Sequence, residues 1–178
     1  MKTVQLEHLL TDAGGTEIAE AALVLPITFM LLLGIYWFGR ALNTYETINH
    51  AALEATRAAA AHSCSTCTNA NLTPDQIATY VQQALQASGL DPTQAAPIPP
   101  ADETIISCAD GTSETPVNPD AGYPQINVYY NAQLLPTSRV QACGISVSFQ
   151  YPYQFYLPFT SSLNPVWLKT RVQMRVEE

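Results

Sequence analysis

The chain has 178 residues, a length that fits one domain or a small domain with an appendage. Its 15 acidic residues outnumber 7 lysines and arginines, which gives a formal net charge of −8. This balance excludes a nucleic-acid binder, which needs a basic face to displace condensed counterions, and a polybasic membrane-surface protein. Only 12% of the residues are charged, about half the usual share, so the placement of the apolar residues decides the class of protein.

One segment, residues 21–39, has the composition of a membrane span. It reads AALVLPITFMLLLGIYWFG without a formal charge, and as a helix it covers roughly 28 Å, close to the hydrocarbon thickness of a bilayer. The aromatic run at 36–38, followed by Arg40, is typical of a membrane interface, and no cleavage site for a secretory signal follows it. We therefore predict a retained span at about residues 20–39, and a removed signal peptide is the less favoured alternative.

An acidic residue, Glu20, directly precedes this segment. In the simplest interpretation, Glu17 and Glu20 occupy the first turn of a helix, where the helix dipole favours acids. The larger pattern GGTEIAEAALVLP is similar to the processing site of type IV prepilins, in which a membrane aspartyl peptidase cuts after a glycine and the fifth residue of the mature chain is Glu. The resemblance implies cleavage after Gly15, a new N-terminus at Thr16 and Glu20 as the fifth mature residue.

The segment from residue 20 to residue 60 resembles more narrowly the TadE-like pseudopilins of tight-adherence (Tad, or Flp) pili. Members of that family typically carry E-F-A-L-V-L-P, an apolar run, G-x-x-x-F-G-R and a helix that ends in A-A-R-x-G-A-R. The matching positions here are Glu20, Ala22–Pro26, Gly34, Phe38–Arg40, Ala51, Ala52 and Arg57. The chain departs from the family pattern at Ala21, where an aromatic residue is usual, and at Ala55-Thr56, where a Gly-Ala pair is common.

This resemblance implies a minor pilin or pseudopilin with no catalysis and no cofactor of its own, at the pilus tip or as an initiator, supporting adhesion. The implied partners are prepilin peptidase, other pilins and minor pilins of the Tad system, the inner-membrane assembly platform and membrane lipid. Glu20, buried in a helix bundle, would pair with the N-terminal amine of an adjacent subunit. The expected location is the bacterial inner membrane with the C-terminal part in the periplasm, or outside the cell as part of the pilus.

Two other classes of protein stay open at this point. One is an unprocessed single-pass envelope protein whose exported domain binds a ligand or a surface. The other is an exported, disulfide-containing domain without an anchor. The sequence contains no hydrolase elbow, phosphate-binding loop or carboxylate cluster, so we predict that the protein is not an enzyme.

The apolar segment is predicted to continue as one helix through Ala61, because residues 43–61 contain neither Pro nor Gly, and Pro26 is expected to kink it. Small or apolar residues recur on one face of its second part, where they would let another helix or a sheet approach closely, or would belong to a plain amphipathic stem. These residues are Tyr45, Ile48, Ala52, Ala55 and Ala59.

A second helix is predicted between its cap, Thr73, and a stop at Gly89, followed by a proline-rich extended connector over residues 91–102. The pattern then changes to a period of two, which predicts strands at Glu103–Cys108, Gln125–Gln133, Val140–Tyr151 and Lys169–Glu177. The predicted fold class is α+β, a long N-terminal helix followed by a small antiparallel sheet and one extra helix. The predicted organisation is a leader at 1–15, a helix at 16–62 and a disulfide-stabilised head at 63–178.

Four cysteines lie beyond the apolar segment, an even number that suits disulfides in an exported domain. The pair Cys64 and Cys67 has the C-x-x-C spacing, but no βαβ unit for a redox motif and no second pair for zinc accompany it, so no metal site is predicted. We favour two long-range bridges that link Cys64 and Cys67 to Cys108 and Cys143. The alternative pairs Cys64 with Cys67 and Cys108 with Cys143.

Overall fold

The computed structural model describes residues 13–62, 71–134, 142–155 and 165–176. In chain order these form α1 (Ala13–His62), α2 (Pro74–Ala87), a short 3₁₀ turn (Pro92–Gln94), β1 (Asn127–Gln133), β2 (Cys143–Tyr153) and β3 (Val166–Arg175). The long first helix, the second helix and a three-stranded antiparallel sheet confirm the α+β prediction. The chain divides into two compact units, Met1–Arg40 and Ala41–Glu178.

The second part of α1 is a packing surface of the second unit. Ala52 and Ala55 are fully buried and Ala59 is 1% exposed, whereas Tyr45 at the start of the stripe is exposed. Small side chains let neighbouring elements come close to a helix, and this stripe shares one core with residues of α2 and of the sheet. Those residues include Ile77, Val81, Leu85, Val128, Val147 and Phe149. The alternative of a plain amphipathic stem is therefore wrong for this stretch.

Local signals define both ends of α2 as predicted. Thr73 is the N-cap, its side chain accepts a hydrogen bond from the N–H of Gln76, and the Gln76 side chain accepts one from the N–H of Thr73, which completes a capping box. At the other end Gly89 has a φ of 73°, and the N–H of Leu90 donates to the carbonyl of Leu85. A left-handed glycine followed by a backbone bond between residues five apart is the usual way in which a helix stops.

The sheet has the order β1-β2-β3, with β2 in the centre. Val128, Val147 and Val172 are paired across the three strands and belong to the core that the helices cover. At Gly144, opposite Arg175, a Cβ atom would collide with the backbone carbonyl of Met174. β3 therefore packs closely against β2 at a position that only glycine allows.

The strand boundaries differ from the predicted ones by a few residues where they can be compared. β2 extends to Tyr153, two residues past the predicted end, and β3 begins at Val166, three residues before the predicted start. Positions 140, 141 and 177 of the predicted strands lie outside the described residues. Between Lys169 and Arg175 the alternation of exposed and covered residues confirms the predicted two-faced strand.

The predicted strand Glu103–Cys108 is wrong. The segment forms only isolated bridges, one of them between Ser107 and Ala132. The N–H of Cys108 donates to the carbonyl of Asn131, and the N–H of Gln133 donates to the carbonyl of Ile106, both at 2.8 Å. The contact with β1 is thus limited to one bridge, and the next bridge of the segment, between Ile106 and Ser113, closes a local turn.

The proline-rich connector is attached to the edge of the sheet. Ala96 exchanges two backbone hydrogen bonds with Gln150, at 2.9 and 2.8 Å, and so continues the edge of β2 beyond the end of β1. The Gln150 side chain also donates to the carbonyl of Pro97 at 3.1 Å. Only the middle of the connector, residues 95–99, is extended as predicted, because a 3₁₀ turn occupies Pro92–Gln94 and another turn occupies residues 100–102. The connector covers part of the sheet face that lies opposite the helices.

The favoured disulfide pairing is wrong, because Cys108 bonds to Cys143. The physical reason lies in the end of β1, which holds both cysteines. Cys143 is the register partner of Gln133, and the backbone of Cys108 is bonded to Asn131. Cys64 and Cys67 lie outside the described residues, so their pairing with each other stays a prediction.

Candidate functional site

The first unit exposes large apolar side chains along α1. Between residues 18 and 38 they are 43% to 74% exposed, and neighbours such as Leu31, Leu32 and Leu33 point in different directions because successive helical residues are about 100° apart. Within the described residues, α1 is the one helix that is long and apolar enough to cross a membrane, and none of its apolar stretch is buried. A surface of this kind requires a cover of lipid or of other apolar helices.

The positions predicted for processing lie at the beginning of this helix. Gly15 and Thr16 belong to the first turns of α1, and the side chain of Glu20 is exposed one turn later. Residues four apart share a helix face, so positions 16 and 20 lie on the same face of α1. Cleavage between Gly15 and Thr16 stays a prediction, and residues 1–12 of the predicted leader lie outside the described residues.

Pro26 is inside α1, where it cannot donate to the carbonyl of Ala22. Two residues after Pro26, the Thr28 hydroxyl donates to the carbonyl of Val24 at 3.0 Å. Both features weaken the regular backbone ladder in the same turn. The predicted kink stays a prediction, while the continuity of the helix through Pro26 is a finding.

The aromatic residues at the end of the apolar segment contact one another and a cation. Tyr36 and Trp37 meet edge to face with ring centroids 5.4 Å apart, and the guanidinium carbon of Arg40 lies 5.9 Å from the Trp37 centroid. An aromatic ring beside a cation is the arrangement expected of side chains at a membrane–water interface.

In the second unit a buried acid, Glu103, organises the sheet face opposite the helices. Its side chain is 7% exposed, and three donors converge on one carboxylate oxygen, Oε2. These are the Ser148 hydroxyl at 2.5 Å, the Asn127 amide at 3.3 Å and the Tyr129 hydroxyl at 3.4 Å. Glu103 is the first residue of the predicted strand Glu103–Cys108, and the sequence does not predict this role, because nothing local marks an acid after a proline-rich stretch as buried.

The environment of Glu103 also acts on Tyr129. Burial, together with the nearby Glu103 carboxylate that accepts its hydrogen bond, raises the pKa of Tyr129 to about 12. Burial also raises the pKa of Tyr130 and of Tyr151 above the ordinary value. All three tyrosines belong to strands of the sheet. Because the pKa of each is raised on folding, the folded second unit favours the neutral form of each ring.

A cavity of about 280 Å³ lies beside this buried acid, at the rim of the sheet. Arg171 and Gln173 of β3 form one wall, and the other walls come from residues 104–106 and from Gln133 and Leu134. The described residues hold no group of three or more His, Cys, Asp or Glu side chains that could bind a metal ion. The cavity offers one guanidinium and several amide and apolar groups, and it brings together none of the residues predicted for processing, assembly or disulfides.

We expect Glu103→Ala to destabilise the second unit by about 1–3 kcal/mol, because three buried donors would lose their acceptor. The adjacent Asp102→Ala is the matched control, since Asp102 forms an exposed ion pair with Lys169 at 2.9 Å, and such pairs contribute about 0–1 kcal/mol. Denaturant unfolding of the full chain in detergent, followed by Trp167 fluorescence in a Trp37→Phe background, measures both. Equal losses in the two variants would contradict the role assigned to Glu103.

We expect the stability of the second unit to fall as the pH rises from about 10 to about 12. The folded Tyr129 has a pKa of about 12 against about 10 in an unfolded chain, so in this window the folded state binds the extra proton. Stability is complete below pH 10 and is lost as the pH approaches the folded-state pKa. Tyr129→Phe should reduce this dependence in unfolding curves, with Tyr80→Phe as the control, and an unchanged slope in Tyr129→Phe would refute the assignment.

Comparison with known proteins gives one finding for this chain. No curated protein matches it, and no solved structure matches it. Residues 15–57 match the family model described as TadE-like protein, a range that contains Gly15, Thr16, Glu20 and Pro26. The resemblance to TadE-like proteins is therefore confirmed over the exposed apolar part of α1 and the beginning of its buried stripe.

Proposed function

We propose that this chain is a minor pilin or pseudopilin of a Tad-type pilus, cleaved after Gly15 by prepilin peptidase and without catalysis of its own. The observation that carries the proposal is the match of residues 15–57 to TadE-like proteins, which begins at the glycine expected to end the leader. Other pilins of the same system, the inner-membrane assembly platform and membrane lipid are the proposed partners. The proposed location is the inner membrane with the second unit in the periplasm, and later the pilus outside the cell.

The exposed apolar surface of α1 supports a role in which this helix moves from contact with lipid to contact with the helices of other subunits. Lipid covers the apolar side chains while the subunit waits in the membrane, and the helices of neighbouring subunits cover them after assembly. Both covers are apolar, so the transfer costs little hydrophobic free energy. A helix with apolar side chains on every side suits both environments, whereas a surface helix with one apolar stripe would suit neither.

The apolar surface alone does not fix the axial position of one helix against the next. Glu20 can fix it, because it provides a specific contact at one position along the helix. A charge taken into an apolar bundle needs a partner, because an unpaired buried charge is strongly destabilising. Cleavage after Gly15 creates an amine at Thr16, and this amine of an adjacent subunit is the partner we propose. The pair then fixes how far one helix is shifted along the next.

The second unit supports a position at the tip or as an initiator. It carries a three-stranded sheet, a second helix and a long covered connector, so the subunit is bulkier than a pilin made of a helix alone. Such bulk fits one end of a filament better than every position of its shaft. A role in adhesion to a surface follows from that position and belongs to the same proposal.

The first test compares Gly15→Val with Gly14→Val, two substitutions of the same kind at adjacent glycines. The protein is produced together with a Tad prepilin peptidase and recovered from membranes, and its intact mass and N-terminal sequence are determined. The wild-type chain and Gly14→Val should begin at Thr16, whereas Gly15→Val should keep the leader and begin at Met1.

Two results would contradict the proposal and favour other functions. A wild-type chain that begins at Met1 would favour the single-pass envelope protein without processing. Cleavage beyond Arg40 would favour an exported domain without an anchor.

The second test compares Glu20→Gln with Glu17→Gln, which removes a nearby exposed acid from the same helix. Both variants should be cleaved normally, since neither changes Gly15. Glu20→Gln should be depleted from sheared pili by roughly a hundredfold relative to membranes, because removal of one partner of a buried pair costs about 3 kcal/mol or more. Equal incorporation of the two variants would show that Glu20 has no special role in assembly.

A further inference from the structure

β3 is a long strand at the edge of the sheet formed by the described residues. It has ten residues, and in the described part of the chain it pairs only with β2. Every second N–H and C=O of such a strand points away from the sheet and can bond to another strand. Proteins usually shorten or cover an edge of this kind, so its length is notable.

The face of β3 opposite the helices carries a concentration of positive charge. Lys169, Arg171 and Arg175 lie on this face and are exposed, and they are three of only seven lysines and arginines in the chain. Lys169 is already paired with Asp102. Arg171 and Arg175 have no ion pair within the described residues, in a protein whose net charge is −8.

The other face of β3 is apolar and incompletely covered. Leu168, Val172 and Met174 lie on it and are only half-buried, and Leu168 and Val172 belong to the rim of the main core. Thr170, between them, is buried and donates a hydrogen bond to the side chain of Asn49 in α1. A strand added beside β3 would complete the burial of these apolar side chains.

We propose that β3 accepts an extended segment of another protein as a fourth strand, and that this segment alternates acidic with apolar residues. The acidic side chains then lie beside Arg171 and Arg175 on one face, and the apolar ones lie beside Val172 and Met174 on the other. Opposite charges on neighbouring strands stabilise the pairing. The proposal does not depend on cleavage after Gly15 or on assembly into a pilus.

A second copy of this chain is a poor occupant of the edge. Two β3 strands paired antiparallel within one sheet keep equivalent faces on the same side, so Lys169, Arg171 and Arg175 of both copies would crowd onto one face. Like charges directly opposite each other are destabilising. Charges at an edge commonly guard against pairing of any kind, but a cationic edge still admits a strand that brings carboxylates.

An anionic lipid surface is the other class of partner that the charges could suit. Clusters that recognise anionic lipids usually contain four to eight lysines or arginines, whereas this face has three, one of them paired. A lipid headgroup also offers no regular row of donors and acceptors to the backbone of β3. The observations therefore favour a protein strand over lipid.

The test uses the full chain in zwitterionic micelles and a blocked eight-residue peptide of alternating valine and glutamate. Hydrogen exchange of the β3 amides is followed by NMR, with the same peptide carrying glutamine in place of glutamate as the control. The glutamate peptide should slow exchange of the outward-pointing amides at least about fivefold, and the glutamine peptide should bind about three- to tenfold more weakly. Because this comparison uses the wild-type chain, it does not depend on the folding of any variant.

A matched pair of variants tests the arginines directly. Arg171→Gln combined with Arg175→Gln should weaken binding of the glutamate peptide about three- to tenfold, whereas Arg57→Gln, an exposed arginine of α1, should leave it unchanged. The proposal is overturned if the peptide fails to protect the β3 edge, or if Arg57→Gln weakens binding equally. It is also overturned if micelles that contain anionic lipid protect the edge and the peptide does not.

Discussion

Small side chains on the second part of α1 determine how the second unit is built. Ala52, Ala55 and Ala59 contribute little apolar area themselves, yet they leave room for α2 and for the sheet to pack against the helix backbone. Larger neighbours such as Ile77 and Phe149 then fill the space between the elements. Thr56, in the middle of this surface, is fully buried, and its hydroxyl is satisfied by the carbonyl of Ala52 at 2.6 Å. The close packing of α2 and the sheet on this surface therefore leaves the Thr56 hydroxyl with a hydrogen-bond partner.

The first part of the same helix has large, exposed side chains instead of small, buried ones. Most of its large side chains between Ile18 and Phe38 are exposed, so they add little to the folding of the chain on its own. Their hydrophobic free energy is available only when lipid or another helix covers them. The helix is continuous, but its composition changes from bulky apolar residues to alanine, and the two compact units divide between Arg40 and Ala41. Composition along one helix therefore separates the part that folds the chain from the part that must be covered by something else.

Sequence reasoning succeeded where the physical cause is local. The cap at Thr73, the stop at Gly89 and the alternation in β3 depend on residues within a few positions of one another, so one sequence is enough to predict them. It failed where the cause is distant along the chain. The bond between Cys108 and Cys143 depends on how the end of β1 holds both residues, and the burial of Glu103 depends on donors from Asn127 and Ser148. Spacing between cysteines carries no information on such contacts, and a lone acid in a loop is usually exposed.

Affinity and register require different interactions, and this chain separates them in space. Apolar burial is non-directional, so two helices covered only with leucine, isoleucine and phenylalanine can slide past each other with little change in free energy. A charge that must find a partner changes this, because a shift of one turn leaves it unpaired in an apolar surrounding. In the proposed filament Glu20 does this for α1. Arg171 and Arg175 do the same for the open edge of β3, where a shift by one residue would move the carboxylates of an added strand to the wrong face. In both places a few charges determine which alignment is stable, while less selective interactions (apolar contact for α1, backbone hydrogen bonds and apolar contact for β3) supply the rest of the binding free energy.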